Sequence, residues 1–259
     1  MGTSKEKIDW PEVASRLTRL LRLHDTPIGI KGFDSVEEME AVPKLRHPKH
    51  LFMPCQIVAQ AIQCGFTIGF TAKDIINHNC AATVGLDEQD AEWREGGMFT
   101  GGWCETARDA SNHHHALTIV PKTYAGYVCS PLSSGRLEEP DVCFITGAPG
   151  QIFMLLSGYL RSGYSPLDIK VVGESSCSVT WVKTMATGEI GLALPCFAEM
   201  RFAGFSREQV NLSMKPDQLL KALDGVEALS KVGMRYPIPS YGAQMDAAEG
   251  LGVSYEIKR

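Results

Sequence analysis

No two of the eight cysteines stand closer than nine residues apart, so the chain has no CxxC. That excludes a zinc ribbon and a thioredoxin-type dithiol, both of which need the short spacing. GxGxxG and GxxxxGK[ST] are also missing, and with them a dinucleotide or P-loop fingerprint. GxSxG, HExxH, a protein-kinase motif set and an EF-hand loop are absent, which leaves hydrolase, kinase and calcium-sensor readings without a starting point. Charge of neither sign is concentrated. The 25 Lys+Arg and 30 Asp+Glu are spread without long runs to a net -5, so no stripe for nucleic acid and no polybasic patch for a membrane are expected. Apolar runs are broken by Gly, Gln or charge short of a bilayer span, and MGTSKEKIDWPEV carries no apolar signal core. A soluble cytoplasmic protein is expected, and in a reducing compartment its cysteines are expected as thiols or metal ligands rather than disulfides.

At 259 residues the chain can bury a substantial core as one domain, 1–259. Residues 9–23 read as an amphipathic helix capped by Asp9, with Pro11 in the first turn and Val13, Leu17, Leu20 and Leu21 on one face. Thr26–Phe33 alternates like a strand. Pro54 opens a helix whose buried face is Ile57, Val58, Ala61 and Ile62, with Cys64 in the core. Residues 87–116 are too polar and glycine-rich for a defined element, and His113, His114 and His115 read as a polar loop, since three neighbours cannot readily face one ion. LTIVP, YAGYVCSPL, LDIKVVG and EIGLALP read as strands. PDVCFITGAPGQIFMLLSGYLRSGY reads as strand, turn and a helix apolar nearly all round, hence buried. The whole is α/β or α+β, a mixed sheet with flanking helices.

A faint repeat runs through this order. Pro54-Cys55-Gln56-Ile57 and Pro149-Gly150-Gln151-Ile152 open the two apolar helices, offset by 95 residues, and Cys80 and Cys177 follow, offset by 97. Cys104 falls near the place of Cys196, each with an arginine, Arg108 or Arg201, shortly after. A duplication would give halves 24–116 and 117–210, followed by a C-terminal helix and tail, 211–259; chance similarity is the alternative.

The cysteines divide by local context. Cys64, Cys129 and Cys143 sit within apolar periodic runs and read as small core residues. Cys55, Cys80, Cys177 and Cys196 lie at element ends beside Pro, Asn, Ser or Gly, where metal ligation competes with core and reactive-thiol readings. Cys104 is intermediate, a fifth ligand or a thiol of a second site. His78, two residues before Cys80, is a candidate proton donor. Arg201 and Arg108 are candidate clamps for a substrate's negative group, and the Gly147–Gly150 turn reads as a structural turn with anion binding as its alternative.

The ordered set TPIGIKGF, FMPCQIVAQA, NCAATVGL, PDVCFITGAPGQIFMLLSGYLRSG, ESSCSV, ALPCFAEMRFA and RYPIP resembles the family known as domain of unknown function 169, over roughly residues 24 to 240. The resemblance implies a widespread prokaryotic protein, frequent in anaerobes, with no established reaction. It places family cysteines at Cys55, Cys80, Cys177 and Cys196, and a Pro-x-Gln at Pro149 and Gln151. Where the family pattern has Gly-x-Arg, this chain has Phe197-Ala198-Glu199-Met200-Arg201.

Four separated thiolates in such a family lead to a [4Fe–4S] cluster as the expected cofactor, zinc being the alternative. The expected protein is an oxygen-sensitive redox enzyme or lyase acting on a small anionic molecule. His78, Arg201 and Arg108 would be at the site, and electrons would come from an external donor because no nicotinamide or flavin motif exists. The other readings are a non-catalytic zinc or copper protein and a thiol enzyme using Cys55. A homo-oligomer contact through the Gly150–Gly163 helix and the tail from Arg235 is a further expectation, beside an internal core role for that helix.

Overall fold

A computed structural model describes residues 7–121 and 123–240; the part of the expected tail beyond residue 240 lies outside them. In chain order the elements are α1 (Trp10–Leu21), β1 (Ile28–Phe33), α2 (Val36–Glu40), α3 (Pro54–Cys64), β2 (Ile68–Phe70), α4 (His78–Thr83), α5 (Ala91–Arg94), α6 (Ala107–His115) and β3 (Gly126–Pro131). There follow β4 (Val142–Gly147), α7 (Pro149–Leu160), α8 (Ser176–Val179), α9 (Trp181–Thr187), β5 (Gly191–Ala193), α10 (Phe197–Phe202), β6 (Val210–Met214) and α11 (Pro216–Lys231). The fold is α+β. One six-stranded sheet runs β2-β3-β1-β4-β6-β5. Its strands pair antiparallel, with Ile28 opposite both Pro131 and Phe144 at the centre, and isolated parallel bridges join Arg46 to Ile68 and Lys170 to Ala193.

Both faces of the sheet are covered, and strand alternation assigns the side chains. Ile28, Ile30, Val142 and Phe144 face a core completed by α3 and α9, through Ile57, Val58, Trp181 and Val182. Cys143, Ile145, Leu212 and Met214 face the opposite core, built from α1, α7 and α11. Cys129 and Cys143 are fully buried, one on each face, as their apolar runs imply.

Three of the helix starts, those of α3, α7 and α11, follow one local rule. Pro occupies the first helical position and Gln the third, and the Gln side chain accepts the hydrogen bond of the N-cap backbone N–H. Gln56 takes Met53 N–H at 3.0 Å, Gln151 takes Ala148 N–H at 2.8 Å and Gln218 takes Lys215 N–H at 2.8 Å. The similarity of Pro54 and Pro149 is therefore a shared capping device that occurs a third time at Pro216. The two helices are not equivalent in space: α3 and α7 lie on opposite faces of the sheet.

The strand order has its own symmetry. Exchanging β1 with β4, β2 with β5 and β3 with β6 gives the same order read from the opposite edge, which matches α3 before β2 with α8–α9 before β5, and α4 with α10. Cys55 then corresponds to Cys177 and Cys80 to Cys196. In this arrangement β3 goes with β1 and β2, with both of which it pairs.

Several local expectations are corrected. Leu117 and Val120 are buried, but LTIVP joins no ladder, and LDIKVVG contributes only the Lys170 bridge. Residues 87–116 contain α5 and α6, and the three histidines end α6 rather than forming a loop. Helix α7 is not buried all round, since Phe153 is 60% exposed on its outer side. Cys64 is exposed. It shares a stripe with Ile57 but is the last helical residue before Gly65, at φ 69°, turns the chain toward β2, so it emerges past the packed part of the helix.

Candidate functional site

Four thiols meet at one cavity on the α3/α9 side of the sheet. Its volume is about 300 Å³ and its lining includes Cys55, Cys80, Cys177 and Cys196. Cys55 lies in the first turn of α3 and Cys80 in the first turn of α4, where Asn77 caps the helix by accepting Cys80 N–H at 2.8 Å. Cys177 is in α8, reached through Ser175 at φ 60°, and Cys196 is the N-cap of α10. Four helix starts thus bring together residues that are 25, 97 and 19 positions apart in the chain. No three His, Cys, Asp or Glu side chains among the described residues are gathered tightly enough to grip one bare ion; the four thiols stand around a cavity.

Burial dominates their electrostatics. It pushes Cys80 up to about 11 and Cys196 up to about 12, and Cys55 and Cys177 well above the ordinary thiol value. The neighbours add to this, since Cys177 feels Glu199, Cys196, Cys55 and Cys80. Opposing it, backbone N–H groups point at sulfur: Gln56 at Cys55, and Ser176 and Glu199 at Cys196. Without compensating positive charge the four groups are neutral thiols at physiological pH.

Two carboxyls complete the polar lining, and neither is evident from motif or spacing. Glu199, only 3% exposed, accepts Cys196 N–H at 3.1 Å and Asn211 Nδ2–H at 2.8 Å. Burial raises it to about 7. The Ser176 hydroxyl faces it and offsets part of that rise, without closing a hydrogen bond of normal geometry. Glu174 is also buried and raised by desolvation, with the Cys196 thiol and the backbone N–H groups of Ser175 and Ala198 facing it. The one sequence signal for Glu199 is its place three residues after the N-cap Cys196, where a Glu closes a capping box.

The histidines of α6 brace this lining from behind. His113 Nε2 donates between the carbonyls of Val172 and Glu174, at 3.2 and 3.3 Å. His114 is fully buried, with Nδ1 3.1 Å from the Ala110 carbonyl and Nε2 3.0 Å from the amide of Asn79, a cavity residue. Desolvation lowers its pKa. His115 turns outward to Ser111.

The other expected site residues stand elsewhere. His78 lies at the surface in ion pairs with Asp87 and Asp90, at 3.0 and 3.3 Å, and does not line the cavity. At the first position of α4, two residues before Cys80, it points away from the side on which Cys80 faces the cavity. Arg108 and Arg201 are exposed and outside the lining, so they form no clamp there. Cys104 is also outside it, although its neighbour Trp103 is part of the rim. The Gly147–Gly150 turn has its Ala148 N–H occupied by Gln151, whose amide donates in turn to the carbonyls of Leu21 and Arg22, as a structural turn requires.

Fold and site together define an α+β protein whose antiparallel sheet carries a cavity lined by four cysteines and two buried carboxyls. The family model for domain of unknown function 169, described as uncharacterised ArCR, matches residues 16–225, and the chain belongs to that family. No curated protein and no solved structure is significantly similar to it. Among the described residues, no helix is long and apolar enough to cross a membrane.

Proposed function

We propose that Cys55, Cys80, Cys177 and Cys196 hold an iron–sulfur cluster of the [4Fe–4S] type, and that the protein is an oxygen-sensitive redox enzyme or lyase acting in the cavity beside it. The observation that carries this reading is the meeting of four thiols, from four separate helix starts, around one cavity. The donor set fits the group. Cysteine thiolates are the ligands such clusters take, and the ligands come from separated positions when a fold gathers them. A cubane carries its four ligand sulfurs on separate irons, which suits thiols arranged around a cavity better than a single zinc with Zn–S distances of about 2.3 Å.

The raised thiol pKa values point the same way. Four thiols and two carboxyls, each disfavouring its own anion by burial, form a site that accepts positive charge. Bound there, a cluster would supply electron transfer or, with one iron unligated by protein, Lewis acidity. The chain's own groups do the rest. The N–H groups of Gln56, Ser176 and Glu199 support sulfur charge, Glu199 is a buried carboxyl at the cavity wall, and the apolar walls limit water. With no nicotinamide or flavin fingerprint in the sequence, electrons would arrive from a separate donor.

The test is elemental analysis with an absorption spectrum on protein purified under strict anaerobiosis, alongside Cys177→Ser. About four irons and four sulfides per chain, with the thiolate-to-iron absorption lost in the variant, is the expected result. Colourless protein loaded with zinc would refute the cluster and favour a zinc protein; metal-free protein with fast stoichiometric alkylation of Cys55 would favour thiol chemistry.

A further inference from the structure

The mouth of the cavity is apolar and aromatic, and the ionisable side chains among its described lining residues are acids and thiols. Met98, Trp103, Phe197 and Phe202 line it while being 48–61% exposed, and the Trp103 and Phe197 rings stand 5.2 Å apart at 66°. A water-facing cluster of large apolar side chains is costly to leave open unless something fills it. Below it, Glu174 and Glu199 are more than nine-tenths buried, and Asn77, Asn79 and Thr83 supply uncharged polar groups. Among the described residues, no lysine, arginine or histidine lines the cavity. An anion entering here would leave water for two carboxyls and four thiols with no cation to meet it, a loss that close contacts do not repay.

From this we infer that the site takes a small, flat, apolar molecule that is not an anion and carries a hydroxyl or amino donor. Its body lies against Trp103 and Phe197, and its donor reaches the carboxyl of Glu174. Ring stacking at the rim and a hydrogen bond accepted by the carboxyl supply the recognition. This inference rests on the cavity as the active site assigned above and replaces the anionic substrate expected from Arg108 and Arg201. It names a substrate class and depends on the cavity rather than on which metal the thiols hold.

The test uses the full-length protein in metal-free and anaerobically reconstituted forms, with three probes of one size: benzyl alcohol, benzylamine and benzoate. Binding is read by ligand-observed NMR and by tryptophan fluorescence, to which the half-exposed Trp103 contributes while Trp10, Trp93 and Trp181 are buried. Saturable binding of the alcohol and the amine is expected, with benzoate at least about tenfold weaker, a gap of roughly 1.4 kcal/mol. Trp103→Ala should abolish binding of the two favoured probes. Glu174→Gln should weaken benzylamine, leave benzyl alcohol nearly unchanged and bring benzoate closer to both. Benzoate binding as tightly as benzylamine in the unmodified protein would overturn the inference, and so would failure of all three probes to bind. Protein that takes up no iron yet ranks the probes as expected would sink the cluster and leave this inference standing; protein with four irons and no ranking would do the reverse.

Discussion

Replacing Glu199 by Gln should make the metal-free protein more stable at pH 8 and change it little at pH 5. Glu199 is buried and its carboxyl is raised from an ordinary 4.5 to about 7. Between those two values the folded protein binds a proton that the unfolded chain has lost, so unfolding stability falls as pH rises through that window. Below about pH 4.5 both states are protonated and nothing is lost; above about pH 7 the full cost of a buried carboxylate is present. A shift of that size corresponds to about 3 kcal/mol. A Gln amide oxygen can still accept from Cys196 N–H and Asn211 Nδ2–H, so the substitution removes the charge while keeping the cap. For a chain of this length the difference at pH 8 amounts to roughly 6–12 °C in Tm. The assay is thermal or urea unfolding of both proteins under reducing, chelated conditions from pH 5 to pH 8. Glu174 is shifted in the same direction but is common to both proteins. Parallel stability curves across that range would refute the account of Glu199 as a buried, proton-holding group.

Gln151→Ala should cost about 2–3 kcal/mol, because it strands Ala148 N–H and the carbonyls of Leu21 and Arg22; metal content should be unchanged, since α7 lies across the sheet from the cysteines, and loss of metal at intact stability would contradict the placement. Gly158→Ala should destabilise by about 1–3 kcal/mol or more, because its Cβ would run into the Ala222 carbonyl and Val226 where α7 packs on α11, and a melt unchanged from the unmodified protein would contradict that close approach. His78→Ala should leave metal content and probe binding untouched. The ion pairs with Asp87 and Asp90 raise the His78 pKa, so their contribution is present below about pH 6.5 and disappears as pH rises through the folded value. At 41% side-chain exposure it should stay below about 1 kcal/mol; a larger loss, or lost metal, would return His78 to the site.

The sequence by itself determined the elements whose signals are local. Asp9 and Pro11 start α1, Pro-x-Gln starts α3 and α7, and the apolar run of β4 with its following turn marks a strand and a helix. Local context also separated Cys129 and Cys143, locked in strand interiors, from the four cysteines at helix starts. Capping grammar had a cost as well. Because Pro-x-Gln serves any helix start, capping alone accounts for its recurrence at Pro54 and Pro149, and the two helices it starts lie on opposite faces of the sheet.

Tertiary structure alone decided what faces the cavity. Which cysteines share a space depends on strand pairings that span the chain, and no local pattern encodes them. Glu174 and Glu199 belong to no catalytic motif and face the cavity only through the packing of α8 and α10, and His113 and His114 acquire a role only when α6 docks behind the Glu174 loop and Asn79. His78, Arg108 and Arg201 are near the cysteines in sequence and outside the cavity in space. A helix turns each successive side chain by about 100°, so neighbours in the chain need not share a face.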